Sequence, residues 1–183
     1  KAFAALKADS SVVTWGNSDN GGNSSSVAGQ LAGEVGEIFS NGYAFAARKH
    51  NDSVVTWGSS SDGGDSSSVA GQLTDVVEIY SAKYAFAALK EDGSVVTWGD
   101  PLYGGDSSSV ASQLTGEVFK VSSTKKAFAA LKSGETFVTR LEDANGTVVA
   151  VAVAPFPGEY HFVAPGGEGY RIKAFRDLNG NGV

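Results

Sequence analysis

Alternating apolar residues at four places along the chain predict β-strands. In the copy that begins at Ala44, Phe45 and Ala47 fall on one face of a strand and the two other alanines on the opposite face. The segment Val54–Gly58 that follows, VVTWG, is rich in the β-branched and aromatic residues that strands prefer. A short polar turn joins the two segments, most clearly at Glu91–Gly93 of the third copy. Each of these places therefore predicts an antiparallel hairpin.

The hairpin pattern recurs every 41 or 42 residues, so the chain contains an internal repeat. The repeated aromatic positions are Phe3, Phe45, Phe86 and Phe128 in the first strand and Trp15, Trp57 and Trp98 in the second. The fourth copy has Arg140 where tryptophan is expected. Periods of this length are typical of propeller blades, solenoid coils and pseudo-symmetric barrels.

A Gly-rich loop and a third apolar segment complete each repeat. The loop closes on Asn23, Asp65 or Asp106, which we interpret as N-caps of a helix of one or two turns. A third strand is predicted from apolar pairs three residues apart, namely Val35 and Ile38, Val76 and Ile79, and Val118 and Val121. One unit cannot bury both of its faces, so neighbouring units are expected to stack. The alanine face would let the next sheet approach closely, and Phe and Trp would fill the space on the other side.

These elements predict an all-β fold of three and a third propeller-like repeats, each with three strands and a short helix. The predicted units are 1–42, 43–83 and 84–125, with a partial unit at 126–139. After Arg140 the pattern changes to an alternating segment from Gly146 and two further strand candidates around a Pro-Gly-Gly turn. We therefore expect a repeat domain at 1–139 and a β-sandwich-like tail at 140–183 that is an incomplete module.

The repeat resembles that of the regulator of chromosome condensation family in its A-A-L, D-G and W-G motifs. In the third copy these motifs lie at Ala87–Leu89, Asp92–Gly93 and Trp98–Gly99. The resemblance covers about residues 1–139 and implies β-propeller blades, of the kind found in long arrays in large microbial surface proteins. The nuclear members act as exchange factors on a small GTPase, which needs a complete seven-bladed ring that three units and a fragment do not supply.

Two family motifs are altered in this chain. The usual Gly-His pair is replaced at Tyr43, Tyr84 and Lys126. The G-Q-L-G segment is incomplete, because Leu31 is followed by alanine and Leu73 by threonine. The resemblance is therefore carried by the hairpin and the W-G strand.

The end of the tail, residues 170–182, resembles the end of β-sandwich modules in bacterial surface proteins, and this implies an extracellular modular protein. Within it, Asp177, Asn179 and Asn181 have the D-x-N-x-N-G spacing of half a calcium loop, in which alternate residues face one cation. Calcium is the one cofactor that the sequence suggests, and we expect binding to be weak. A plain Asn-Gly turn is the alternative interpretation.

Two architectures for the repeats remain open at this stage. In one, the units are propeller-like blades; in the other, three units close into a three-fold β-trefoil or β-prism, which would favour a lectin-like carbohydrate-binding module. Buried tryptophans would favour packing within the repeat core, whereas open tryptophans would favour sugar stacking. The burial of Trp15, Trp57 and Trp98 therefore decides between a structural protein and a lectin-like module.

Composition and charge exclude several classes of protein. The 183 residues carry a formal charge of -6, which disfavours binding to nucleic acid through its phosphates. Cysteine and methionine are both absent, so the main oxidation targets are missing, as suits a protein outside the cell. The longest apolar run, Val148–Ala154, is far shorter than the ~20 residues of a membrane span, so no membrane insertion is predicted. Because residue 1 is lysine, we expect the chain to begin inside a longer or processed product.

Catalytic chemistry has little support in the sequence. His50 and His161 are isolated, with no zinc motif and no partners at triad-like spacing. The acidic residues of the Gly-rich loops (Asp19, Asp62, Asp65 and Asp106, with Asn23) are explained by turns and caps. We therefore predict that the chain is not an enzyme.

The sequence predicts an extracellular or cell-surface repeat protein with a structural or adhesive role. The expected partner is the protein itself, through strand edges, in a fibre or surface layer. The alternative is a lectin-like module with glycans as partners.

Overall fold

The computed structural model describes residues 1–133 with their side chains and, beyond them, only the backbone of three strands. The chain divides into two compact units, Lys1–Lys132 and Ser133–Val183. The strands of the first unit are β1 (Ala2–Leu6), β2 (Val12–Gly16), β3 (Val35–Ser40), β4 (Ala44–Lys49), β5 (Val54–Gly58), β6 (Val76–Ser81), β7 (Ala85–Lys90), β8 (Val95–Gly99), β9 (Val118–Ser123) and β10 (Phe128–Lys132). Its short 3₁₀ helices are η1 (Ser18–Asn20), η2 (Ser25–Val27), η3 (Ser60–Asp62), η4 (Ser67–Gln72), η5 (Pro101–Tyr103) and η6 (Ser108–Gln113).

The strands of the first unit form four small antiparallel sheets. Sheet 1 is β1–β2, sheet 2 is β3–β4–β5, sheet 3 is β6–β7–β8 and sheet 4 is β9–β10. Each predicted hairpin of the first three repeats is present, with Phe45 opposite Trp57 and Phe86 opposite Trp98. The third strand of a repeat pairs with the hairpin that follows it, so β3 completes the sheet of β4 and β5.

A bulge explains why apolar residues three apart share one face of the third strand. In β3 the pairing with β4 skips Gly36, and in β6 the pairing with β7 skips Val77. The extra residue shifts the alternation by one position, so Val76 and Ile79 both point into the core. Val77 is correspondingly exposed.

The predicted short helices are 3₁₀ turns, and their caps lie one residue later than the sequence suggested. The N-caps of η2, η4 and η6 are serines, and these serines make no side-chain cap hydrogen bond. The preceding Asn23, Asp65 and Asp106 accept a hydrogen bond from the backbone N–H two residues ahead. These side chains therefore fix the turn into the helix from outside it, as Asx turns do.

The core lies between the sheets, because each sheet has one alanine face and one aromatic face. The alanine face of sheet 2, with Ala44 and Ala46, packs against Phe86 and Trp98 of sheet 3. The same contact joins Ala2 and Ala4 of sheet 1 to the Phe45 and Trp57 face of sheet 2. It recurs between sheets 3 and 4, where Ala87 and Leu89 meet Val121 and Phe128. Alanine lets the backbones approach, and the aromatic rings fill the remaining space, as expected.

The second unit contains one sheet in the part that the structure describes. Strand β11 (Thr136–Glu142) lies between β12 (Val148–Ala154) and β13 (Arg171–Asp177), antiparallel to both. The strand expected from Gly146 is β12, and the last predicted strand is β13. The other strand candidate of the tail lies outside the described residues. The fold is thus all-β, as predicted, and no described sheet closes on itself.

Candidate functional site

The repeated tryptophans occupy two different environments. Trp57 and Trp98 are each 2% exposed, and each stacks on the phenylalanine opposite it at 5.2 and 5.3 Å between ring centroids. Trp15 stacks on Phe3 at 5.5 Å but remains 50% exposed. Two of the three tryptophans are therefore core residues.

The buried indoles bind the loop of the preceding repeat. Trp57 Nε1 donates to the Gly21 carbonyl at 3.1 Å, and Trp98 Nε1 donates to the Gly63 carbonyl at 3.0 Å. Gly63 has φ +98°, and a Cβ atom there would lie 2.7 Å from the ring of Phe86. Glycine is thus required both for the backbone conformation and for the close approach of the next sheet.

Sheet 1 presents an aromatic face without a neighbouring sheet in the described residues. Phe3 is 56% exposed, and Val13 and Trp15 are exposed beside it. The equivalent residues of sheets 2 and 3 are buried against the alanine face of the sheet before them. We call Phe3, Val13 and Trp15 the outer aromatic face.

A groove opens where sheet 4 lacks a third strand, since β11 pairs with β12 and β13 instead. This fourth-sheet groove has a volume of about 480 Å³, and Gly104, Val110, Leu114 and Phe128 are among its walls. Val110 is 40% exposed, whereas its counterpart Val69 packs against the core between sheets 2 and 3. In sheet 3 the corresponding space is covered by β8, which contacts η3 and η4. The groove is therefore apolar surface that a strand covers in the earlier sheets.

Three tyrosines form a row on the surface, which we call the tyrosine row (Tyr43, Tyr84 and Tyr103). Tyr43 and Tyr84 directly precede the central strands β4 and β7, and Tyr103 ends η5. The rings of Tyr43 and Tyr84 lie 5.0 Å apart, and Tyr84 meets Tyr103 edge-on at 4.4 Å. All three side chains are half-buried.

Two lysines give the tyrosine row a positive charge. Lys83 Nζ lies 4.5 Å from the centre of the Tyr84 ring, and Lys126 Nζ lies 5.7 Å from that of Tyr103. Hydrogen bonds from Lys83 and then Tyr43 lower the pKa of Tyr84, while its hydrogen bond to Tyr84 raises the pKa of Tyr43. Aromatic faces, hydroxyls and ammonium groups together can bind a ligand by stacking and hydrogen bonding.

Other residues singled out by sequence do not converge into a site. Asp177 ends β13, but its side chain and the whole of Asn179 and Asn181 lie outside the described residues, so the calcium loop stays a prediction. Among the side chains that the structure describes, no three acidic or histidine groups are placed to hold a metal ion. His50 is exposed, and His161 lies outside the described residues.

The acidic residues of the Gly-rich loops have local structural roles. Asp65 and Asp106 accept backbone hydrogen bonds at the start of the second 3₁₀ helix, and these bonds lower the pKa of both carboxyls. Asp62 accepts a hydrogen bond from the Ser59 hydroxyl at 2.6 Å.

No 3₁₀ helix in residues 1–133 is long or apolar enough to cross a membrane.

Comparison with known proteins adds no assignment: no protein-family model and no curated protein sequence matches the chain. Within the described residues, the chain has three candidate sites: the outer aromatic face, the fourth-sheet groove and the tyrosine row.

Sequence reasoning missed the tyrosine row as a site. Tyr43 and Tyr84 occupy one repeat position, which marked them only as a departure from a motif. Tyr103 lies in a loop whose sequence differs among the copies, so nothing in the sequence linked it to the other two. The signal that could have found the row is the pair of equivalent tyrosines 41 residues apart, because equivalent positions of stacked repeats are neighbours in space.

Proposed function

We propose that the chain is an extracellular structural or adhesive protein, built of propeller-like repeats, that assembles with further copies of itself into a fibre or surface layer. The observation that carries the proposal is the outer aromatic face. Phe3 and Trp15 are exposed there, although the equivalent residues of sheets 2 and 3 are buried against the alanine face of a neighbouring sheet. Contiguous exposed apolar surface of this kind marks an interaction site.

The blade interpretation is supported by the way the sheets stack. Sheets 2 and 3 are separate three-stranded antiparallel sheets, each packed face to face on the next. The extracellular location is supported by the absence of both sulfur-containing residues.

The test of assembly is sedimentation velocity and negative-stain imaging of the intact chain over a range of concentrations. We expect large species whose share increases with concentration, and their loss in a Phe3→Ala, Trp15→Ala double variant. The matched control is Val77→Ala, which removes an exposed apolar group in the bulge of β6. Monomers of the intact chain at high micromolar concentration would overturn the proposal.

A lectin-like module is the second candidate function, and the tyrosine row supports it. Trp57 and Trp98 are buried, so neither indole can stack on a sugar ring. The tyrosine row instead offers aromatic faces beside two lysines. A glycan-array screen tests this candidate. Glycan binding should be lost in Tyr84→Ala and kept in the control variant Tyr80→Ala. Tyr80 lies on β6, outside the tyrosine row, and its hydroxyl donates a hydrogen bond to Glu78. A screen without any bound glycan would count against it.

A further inference from the structure

Two strands of the chain have the same sequence but different sheets around them. Residues 1–7 and 126–132 both read KAFAALK, and they contain β1 and β10. In sheet 1 this strand pairs with a VVTWG strand, β2. In sheet 4 it pairs with β9 and has no such partner among the described strands. Sheets 1 and 4 therefore each contain the part of a three-stranded sheet that the other lacks.

The register of sheet 4 shows where β1 of another molecule would fit. β10 pairs with β9 so that Phe128 lies opposite Ser123 and Ala130 opposite Val121. In sheet 2 the register is the same, since Phe45 lies opposite Ser40. With its identical sequence, β1 beside β9 would place Phe3 opposite Ser123 and pack as β10 does now.

The fourth-sheet groove has the features that receive a tryptophan elsewhere in the chain. Trp57 and Trp98 donate to the carbonyls of Gly21 and Gly63, and the equivalent carbonyl in the third loop is that of Gly104. Among the described residues, this carbonyl has no indole donor. Trp15 is already stacked on Phe3, in the arrangement that the buried pairs have, and is exposed.

We propose that the β1–β2 hairpin of a second copy of this chain replaces β10 beside β9 and places Trp15 in the fourth-sheet groove. This inference rests on the proposed function and specifies its interface. The strand that leaves and the strand that enters are identical, so the pairing with β9 is preserved. The exchange adds β2, which covers the groove, completes a three-stranded sheet and removes the outer aromatic face from water. The interface is head-to-tail, so it continues from copy to copy.

Engineered cysteines test the register directly, because the natural chain has none. Ala129 lies opposite Ser122 in sheet 4, so the exchanged strand would place Ala4 there. The Ala4→Cys, Ser122→Cys variant should form a ladder of disulfide-linked oligomers on mild oxidation. The matched control pairs Ala4→Cys with Val77→Cys, an exposed site on a strand outside the proposed interface, and should form no comparable ladder.

Trp15→Ala in the two-cysteine variant tests the role of the groove. We expect the cross-linked fraction to fall by at least about tenfold, as when a buried aromatic anchor is removed from an interface. Trp15 is exposed, so the variant should keep its circular dichroism spectrum and melting temperature. Tryptophan emission of the natural chain should shift to shorter wavelength as concentration increases, and this shift should be absent in Trp15→Ala.

The outcomes separate this inference from the proposed function. Assembly in sedimentation without the Ala4–Ser122 cross-link would overturn the strand exchange and leave assembly intact. Equal ladders for the two cysteine pairs would also overturn it, as would an unchanged ladder in Trp15→Ala. Monomers throughout would overturn both proposals.

Discussion

At the scale of single residues, the repeat shows one residue type in unequal surroundings. Trp15 and Trp57 occupy the same repeat position and make the same stacking contact, yet only Trp57 is covered by another sheet and bonded through its indole N–H. Sequence alone assigns them the same role. The difference arises because another sheet packs on Trp57 and none of the described sheets packs on Trp15. The sequence around each tryptophan does not encode that packing.

Alanine substitution should separate the two tryptophans. Trp57→Ala should lower the free energy of unfolding by roughly 3–5 kcal/mol, since it leaves a cavity and removes a hydrogen-bond donor. Trp15→Ala should change it far less, because the indole is half exposed. Urea denaturation at concentrations where the chain is monomeric measures both. Equal losses of stability would show that Trp15 is covered in solution.

Arg48 is the one departure from leucine at its repeat position. Leu6, Leu89 and Leu131 occupy the other copies. The guanidinium of Arg48 reaches Asp52 at 2.9 Å and Glu37 at 3.6 Å, but its Nε is buried without a hydrogen-bond partner among the described residues. Such a buried donor is costly, and exposed ion pairs offset little of the cost.

Arg48→Leu should therefore raise the free energy of unfolding by about 0.5–2 kcal/mol, the usual gain from restoring a consensus residue. Arg48→Lys is the control, because it keeps the positive charge and does not restore the packing of a leucine side chain, so it should bring no such gain. Thermal and urea unfolding would show the difference. A loss of stability in Arg48→Leu would mean that the pairs with Asp52 and Glu37 outweigh the buried donor.

At the scale of elements, three hairpin turns share one hydrogen-bond pattern, in which the acceptor is an aspartate in two turns and an asparagine in one. Asp9, Asn51 and Asp92 each accept from the backbone N–H and hydroxyl of the serine two residues ahead. The hydroxyl and then the N–H of Ser94 hold the pKa of Asp92 below its ordinary value of 3.8, and Ser11 acts in the same direction on the pKa of Asp9. Asn51 makes the same bonds without a titrating group.

These turns should lose stability in acid. A carboxyl with a lowered folded-state pKa contributes its full stabilisation above pH 3.8 and loses it as the pH falls through the folded pKa. Asp9→Asn with Asp92→Asn should therefore flatten the decline of unfolding free energy below about pH 4. The measurement is urea denaturation from about pH 2 to about pH 6. An unchanged slope in the double variant would assign the acid sensitivity to other carboxyls.

Much of the element structure follows from sequence, and the exceptions are non-local. The hairpins of the first three repeats and the third strands lie where alternation and β-branched residues predicted them. The fourth predicted hairpin is absent from the described residues, because β10 pairs with β9 and β11 pairs with β12 and β13. The partner of β3 could not be predicted, because Val35 and Ile38 fit the hairpin before them and the hairpin after them equally well. The helices lie where they were predicted but are 3₁₀. Their N-caps are the serines that follow Asn23 and Asp65, so these two side chains precede the caps instead of forming them.

At the scale of the whole molecule, the four sheets of residues 1–132 differ in how much of their apolar surface is buried. Sheets 2 and 3 are packed on both faces, while the outer faces of sheets 1 and 4 keep large apolar groups exposed, among them Phe3 and Leu131. Stability in stacked repeats is approximately a sum of units and nearest-neighbour interfaces. A sheet with one such interface is therefore expected to open more easily than one with two.

Hydrogen exchange followed by mass spectrometry should show this gradient in the monomer. Protection should be highest in β4 and β7, the central strands of sheets 2 and 3, and lowest in β1, β2 and β10. On assembly, protection should increase in β1 and β2. Equal exchange in all four sheets would mean that residues 1–132 unfold as one cooperative unit.

The two-faced sheet has a consequence for how such a protein changes over generations. Each alanine face fits the aromatic face of any other copy, so an in-frame duplication or deletion of 41 or 42 codons leaves every remaining sheet with a suitable partner. The number of units is then not fixed by the fold, and variants of different length inherit the same packing. Recombination between the near-identical copies would change the reach of the protein without any new packing solution.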